Sequence, residues 1–360
     1  MKYYCPLPFN HIYNNTAGNY NVCCYCRTSS QQSKKLQEYN INNTMPFDFF
    51  FNGHMQYIRK NMIEGVKQEI CEPCYEQEER SNTSPRLEKI KIHGVEYKDL
   101  KINLKLRIFG DYCNLSCYMC YPLNSTTRRK ELIEIQEPAD VWDMDQQYVL
   151  NTKQFNKLKK HIYEHSDLIG DLQILGGEPL QSKRLYEFLL EYPNNNHRVL
   201  IQSNLTKLGI GNYHIDDLFK KFNIYLQVSL EHFGNKQNWI RYNSNYKTIE
   251  KNIIKYKNHI SNFHVTISVL NVDDLLDIKK YYKDKFDLEM VNYPLQSPKM
   301  LSIRNHPNKN ELYKKYKNTE FDNIFVELDK EPYKQESLKN YLNKLSIKRG
   351  NYKKLWTNLI

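Results

Sequence analysis

The stretch Lys105-Leu106-Arg107-Ile108-Phe109-Gly110-Asp111-Tyr112-Cys113-Asn114-Leu115-Ser116-Cys117-Tyr118-Met119-Cys120 runs from an apolar segment straight into three cysteines spaced CxxxCxxC. The apolar segment, 103–109, reads as a β-strand, and the cysteines fall in the loop that leaves it. The same texture repeats along the chain. Strand candidates follow at 170–175, 197–202, 224–230, 263–269 and about 286–291. Between and after them, 151–164, 181–192, 214–222, 246–260 and 273–284 carry helical spacing, as in Ile249, Ile253, Ile254 and Tyr256. Repeated strand-helix units favour a parallel sheet with right-handed crossovers. Six such units suit an α/β fold of the partial (β/α)6 TIM-like kind, whose chemistry gathers at the C-terminal ends of the strands.

Composition divides the chain into a small cysteine-rich N-terminal domain over 1–95, a barrel over 96–300 and a C-terminal helical tail over 301–360. The first part shows short β-like runs such as His11-Ile12-Tyr13 around a turn at Ala17-Gly18-Asn19. A helix from His54 to Glu64, ended by Gly65, follows. In the tail, Leu338, Tyr341, Leu342 and Leu345 predict one amphipathic helix packed on the barrel.

At 360 residues and 40% hydrophobic content the chain is long enough for one large core and a satellite, so neither a peptide nor a disulfide miniprotein is in question. It shows no apolar run of roughly 18 residues and no charged-then-apolar leader, which predicts no membrane partner and a reducing cytoplasm. Nine cysteines, at 5, 23, 24, 26, 71, 74, 113, 117 and 120, all fall in the first third. Bunched thiols in such a chain point to metal ligation rather than disulfides. The net charge of +11 favours an anionic partner, but from Lys309 onward 12 Lys and Arg stand against 7 Asp and Glu, a balance that a solvated helical face explains as well. No interleaving of Gly, Arg and aromatic residues accompanies the charge, so it does not by itself indicate nucleic acid.

Three thiolates on one tight loop, Cys113, Cys117 and Cys120, hold three corners of a four-iron cluster and leave the fourth iron open. A zinc site wants a fourth protein ligand nearby, and candidates such as His161 lie far along the chain.

With these motifs the sequence resembles the radical S-adenosylmethionine (SAM) superfamily over about residues 101–300. The resemblance implies a [4Fe–4S] cluster on Cys113, Cys117 and Cys120 whose open iron is chelated by SAM. It also implies reductive cleavage of SAM to a 5′-deoxyadenosyl radical that abstracts hydrogen from a substrate. Leu175-Gly176-Gly177-Glu178-Pro179, ending the second strand, looks like the family's GGEP motif, whose glycines let the backbone reach the SAM amino group. Ser203 and Asn204 after Gln202, and Ser229 and Glu231 around Leu230, take the strand-end positions where the family contacts SAM. Such short polar residues are also common helix caps. Arg241 resembles the arginine that pairs with the SAM carboxylate, and Asn271 is a further candidate for that pocket. Many members carry an aromatic residue immediately before the last cysteine, against adenine. Here that residue is Met119, whose thioether also covers a ring face, with Tyr118 or Tyr121 sharing the role.

Cys5, twelve residues, Gly18, four residues and Cys23, with Cys71 and Cys74 later, resembles the SPASM/twitch auxiliary-cluster module, placed before the barrel rather than after it. The resemblance implies an auxiliary [4Fe–4S] cluster on Cys5, Cys23, Cys71 and Cys74. The competing reading pairs Cys23 and Cys26, which flank Cys24, with Cys71 and Cys74 as a zinc ribbon.

The function expected is a radical SAM enzyme, oxidoreductase-like, fed by a reduced flavodoxin- or ferredoxin-type donor and modifying a peptide or protein. A nucleotide, RNA or sugar-like small molecule is the alternative substrate. A zinc-ribbon nucleic-acid-binding protein is the alternative of another class. His232 is a candidate base with a surface histidine as its plain counterpart, and an acidic stretch from Glu131 to Asp145 would suit a basic peptide.

Overall fold

The computed structural model describes residues 2–359 apart from 16, 28, 96–100, 139–141, 143–149, 334 and 358. It is a mixed α/β structure with a mostly parallel eight-stranded sheet, as a partial TIM-like fold requires. The strands are β1 (His11–Asn14), β2 (Tyr20–Asn21), β3 (Ile102–Leu106), β4 (Ile169–Ile174), β5 (Arg198–Ser203), β6 (Asn223–Ser229), β7 (Ile260–Ile267) and β8 (Met290–Pro294). Contacts divide the chain into two compact units, and each is described by itself.

The first unit holds 1–110, 147–201 and 211–224. Within it β3 pairs in parallel with β4, and β4 with β5. Leu104, Leu106, Leu172, Ile174, Val199 and Ile201 are buried, every second residue along each of these strands. The helices α1 (Gly53–Ile63), α2 (Glu72–Ser81), α4 (Thr152–Glu164) and α5 (Lys183–Glu191) also belong here, α3 being part of the second unit. Asn151 begins α4 with a capping box to Gln154, which satisfies backbone donors at that end. The expected β-like run at His11 is not a separate hairpin. β1 does turn back on β2, but it also lies parallel to β3, with Ile12 opposite Leu104. The cysteine-rich segment therefore contributes two of the eight strands.

The second unit holds 111–146, 202–210 and 225–360. β7 pairs in parallel with β6 and β8. Its helices are α3 (Thr126–Glu134), α6 (Gly234–Ile240), α7 (Tyr246–Tyr256), α8 (Leu275–Phe286), α9 (Lys309–Tyr316) and α10 (Gln335–Arg349). The last strand begins later than its expected start near 286, because the buried stripe Ile278, Tyr282 and Phe286 carries α8 on until Asp287 turns left-handed (φ 51°). The tail is more than one helix. Leu312, Tyr316, Phe321, Ile324 and Leu328 close over Ile267 and Leu275, while Leu338, Tyr341, Leu342 and Leu345 of α10 pack with the cysteine loop residues Leu115 and Tyr118. Among the described residues no helix is long and apolar enough to cross a membrane.

Candidate functional site

The three cysteines of the second unit sit where a buried loop turns. Cys113 and Cys117 are buried and Cys120 is half-buried. Ser116 and Cys117 form a two-residue antiparallel ladder with Tyr242 and Arg241, and Tyr118 N–H donates to Ile240 C=O at 2.9 Å. The loop is thus pinned along its backbone. Several N–H groups also approach its sulfurs: Leu115 N–H lies 3.5 Å from Cys113 Sγ, Asn204 Nδ2 3.8 Å from the same sulfur, and Arg241 Nη1 3.4 Å from Cys117 Sγ. Burial raises the Cys117 thiol, and the Arg241 guanidinium is the largest influence opposing it.

The strand-end residues gather in the same unit. Asn204 Oδ1 caps Thr206 N–H at 3.0 Å while its Nδ2 also reaches Asn114 Oδ1 at 3.2 Å. Ser203 Oγ accepts Leu205 N–H at 3.0 Å, and Ser229 Oγ accepts Gln202 Nε2 at 3.2 Å. Glu231 is fully buried and grips Arg241 in a fork, Nε to Oε2 and Nη2 to Oε1 at 2.7 Å. The two predicted SAM contacts Glu231 and Arg241 therefore bind each other. Asn271 is committed to the protein: its Nδ2 donates to Glu231 C=O at 3.1 Å and Thr266 C=O at 3.0 Å, and its Oδ1 accepts Ser268 N–H at 2.8 Å. Met119 is buried beside Tyr118, whose hydroxyl bonds Ser268 Oγ, and Tyr121 packs edge-on to Trp142. His232 is buried as well, with Nε2 2.9 Å from Asp274 Oδ2 and Nδ1 accepting Phe233 N–H at 2.8 Å. Both ring nitrogens thus have partners within the protein.

The glycine turn belongs to the first unit. Gly176 and Gly177 both have positive φ, 98° and 53°, which explains glycine at each. A Cβ on Gly176 would meet Arg107 and Gly110 only at ordinary contact distance, so backbone conformation rather than space is what demands glycine. Glu178, buried, accepts Leu180 N–H at 3.2 Å and closes the turn before Pro179.

Four residues to which the sequence reading gave no part in the site hold the cysteine loop from beneath: Arg128, Glu131, Tyr341 and Arg349. Arg349 Nη2 donates to Ser116 C=O at 2.6 Å and to Glu131 at 2.5 Å, and Tyr341 OH donates to Tyr118 C=O at 2.5 Å. Arg128 ion-pairs with Glu131 and donates to Tyr118 C=O at 3.0 Å. A signal existed, since Arg349 continues the stripe of Leu338, Leu342 and Leu345 at helical spacing. Glu131 is accordingly a buried ion-pair member and not part of an acidic surface, while Asp143 and Asp145 lie outside the described residues.

Comparison with protein-family models matches residues 108–284 to the Radical SAM superfamily. Residues 108–284 thus match a radical SAM domain, which supports an enzyme of that class. The match begins at Ile108, just before the cysteine loop, and ends within α8, so it includes Cys113, Gly176, Glu231 and Arg241. Among solved structures, anSMEcpe with bound AdoMet is similar at 15% identity and a TM-score of 0.38, over 53% of this chain and 52% of that one. SuiB of Streptococcus suis bound to S-adenosylmethionine gives 14%, 0.40, 79% and 61%, and TYW1 with a lysine-pyruvate adduct 16%, 0.35, 73% and 82%. The chain thus spans about half the length of anSMEcpe. No curated protein matches.

The donor set of the radical SAM domain fits an iron–sulfur cluster. Three thiols share one loop, and N–H groups already point at two of the sulfurs, as thiolates of a buried anionic cluster need. Among the described residues, no three His, Cys, Asp or Glu side chains close into a finished metal cage.

In the first unit Cys5, Cys23, Cys71 and Cys74 are buried, Cys26 is half-buried and Cys24 exposed. Burial pushes the Cys5 and Cys26 thiols up to about 12 and raises Cys23 and Cys71 well above the usual thiol range, each reinforced by neighbouring cysteines. Six thiols thus lie within electrostatic reach of one another. Thiols so placed ionise together only around a cation.

Proposed function

We propose that this protein reductively cleaves SAM at the loop of Cys113, Cys117 and Cys120 and uses the radical so formed to abstract hydrogen from a peptide or protein substrate. The observation that carries the reading is that loop: three thiols, two of them buried, with Arg241 and Asn204 directed at the sulfurs. Cys113, Cys117 and Cys120 would hold a four-iron cluster there, which would supply the low-potential electron for cleaving SAM. The chain's own part is to hold and orient. Gly176 and Gly177 present peptide groups at a strand end, Glu231 holds Arg241 beside Cys117, and Ser203, Asn204 and Ser229 line the ends of β5 and β6. Met119 offers an apolar cover for a ring.

Cys5, Cys23, Cys71 and Cys74 are read as ligands of an auxiliary cluster in an N-terminal twitch-like module. There it would accept the second electron of a dehydrogenation. The burial of these four, and the upward push that neighbouring cysteines give to Cys5, Cys23 and Cys71, supports one shared metal centre. A peptide substrate follows from the family resemblance, and a nucleotide, RNA or sugar-like compound is the other class to assay.

Protein reconstituted anaerobically with iron and sulfide, then reduced with dithionite, tests the reading. Formation of 5′-deoxyadenosine that is lost in Cys117→Ala supports it. No cleavage by wild-type protein that holds zinc and little iron overturns it in favour of a zinc-ribbon protein.

A further inference from the structure

The cysteine loop is gripped through its backbone carbonyls by a helix more than two hundred residues away in sequence. Ser116 C=O, just before Cys117, accepts from Arg349 at 2.6 Å, and Tyr118 C=O, just after it, accepts from Tyr341 at 2.5 Å and from Arg128 at 3.0 Å. Arg349 also donates to Trp239 C=O at 2.8 Å, at the end of α6, close to the Arg241–Tyr242 strand that pairs with Ser116 and Cys117. The side chains of Arg128 and Arg349 are wholly buried, and among the described residues both pair with the same carboxylate, Glu131. Among the described residues, two guanidiniums share this one carboxylate, and both act as positive charges on Cys117.

We propose that Arg349 and Tyr341 are positioning residues for the iron–sulfur cluster: α10 fixes the peptides on both sides of Cys117, and its arginine places positive charge under the ligating sulfur. The proposal rests on the radical SAM reading above. Fixed carbonyls hold the Cys117 Cβ direction constant, so the thiolate is presented without the loop reordering at each redox change. Buried positive charge favours the more negative, reduced cluster.

The test compares the reconstituted full-length wild type with Arg349→Lys, Arg349→Met and Tyr341→Phe. It reads iron release to a chelator, the midpoint potential of the dithionite-reducible cluster and its electron paramagnetic resonance g-values, with thermal melting followed on the same samples. Expected for Arg349→Met is iron release about tenfold faster, the low end of the range for residues that hold metal ligands, with a more negative midpoint. Arg349→Lys restores the potential but not the release rate, since it keeps charge and loses the fork. Tyr341→Phe removes a single hydroxyl and changes release and g-values with little change in melting, which keeps the test decisive if Arg349→Met does not fold. Wild-type release, potential and g-values in a folded Arg349→Met or in Tyr341→Phe overturn the proposal. A wild type that binds no cluster at all instead removes the radical SAM reading on which it stands.

Discussion

Glu231 and Arg241 form a forked ion pair in which Nη2 lies 2.7 Å from Oε1 and the third guanidinium nitrogen lies 3.4 Å from Cys117 Sγ. Glu231 is wholly inaccessible and the arginine side chain nearly so. Breaking such a pair from one side strands a buried charge, at a cost of about 3–5 kcal/mol. Glu231→Gln is therefore expected to lower stability by that order in denaturant melts. Glu231→Gln combined with Arg241→Met is expected to recover most of it while abolishing SAM cleavage, which separates the pair's structural part from its part in the site.

At Gly176 the φ of 98° and the absence of a tight Cβ contact make the expected cost conformational. Gly176→Ala is expected to destabilise by about 1–3 kcal/mol, as a non-glycine residue held at positive φ does. It is also expected to raise the KM for SAM. A melt and a cleavage assay against SAM concentration measure both.

Burial alone would raise the Asp274 carboxyl, but hydrogen bonds from His232 and Lys236 outweigh it and hold it down at about 2. A folded value below the unfolded one contributes stability that is full above about pH 4 and is lost as the pH falls towards 2. The contribution is about 2 kcal/mol. Melts between pH 5 and pH 2 are expected to show this loss in wild type and a shallower one in Asp274→Asn.

Cys5 and Cys26 separate two readings of the N-terminal thiols, since only an auxiliary cluster uses the first and only a zinc ribbon the second. Cys5→Ser is expected to lose about four irons per chain while Cys26→Ser keeps them. Metal counting on the reconstituted variants checks this, and retention of iron in Cys5→Ser with loss of zinc in Cys26→Ser reverses the assignment.

Much of the sheet was legible because its strands are short apolar runs of period 2 between helices of period 3.6. Leu104, Leu172 and Val199 behave as their spacing says. The pairing of His11–Asn14 with Ile102–Leu106 was not legible, because parallel partners some 90 residues apart leave no mark in either segment alone. The cysteine spacing and the glycine turn announced the site, being local. Who holds the loop was hidden for the opposite reason. Tyr341 lies on the stripe that predicted a packed tail helix and Arg349 continues it, but neither position says which peptides the side chain will hold, and only packing brings them to Tyr118 and Ser116. Glu231 and Asn271 were expected at the SAM pocket from the family's strand-end positions, and the partners that each has within the protein could not be read from those positions.

The reach of Arg349 back to Ser116, across 233 residues, also sets an order of events during synthesis. At roughly 5–20 residues per second, a ribosome delivers the arginine about 10 to 50 s after the loop it must hold. Until then the three thiols hang on a segment without its clasp, exposed to oxidants and to stray zinc. The clasp on Ser116 is therefore complete only once Arg349 has been made, and a chain cut shortly before it keeps all three loop cysteines without the guanidinium that holds the Ser116 peptide.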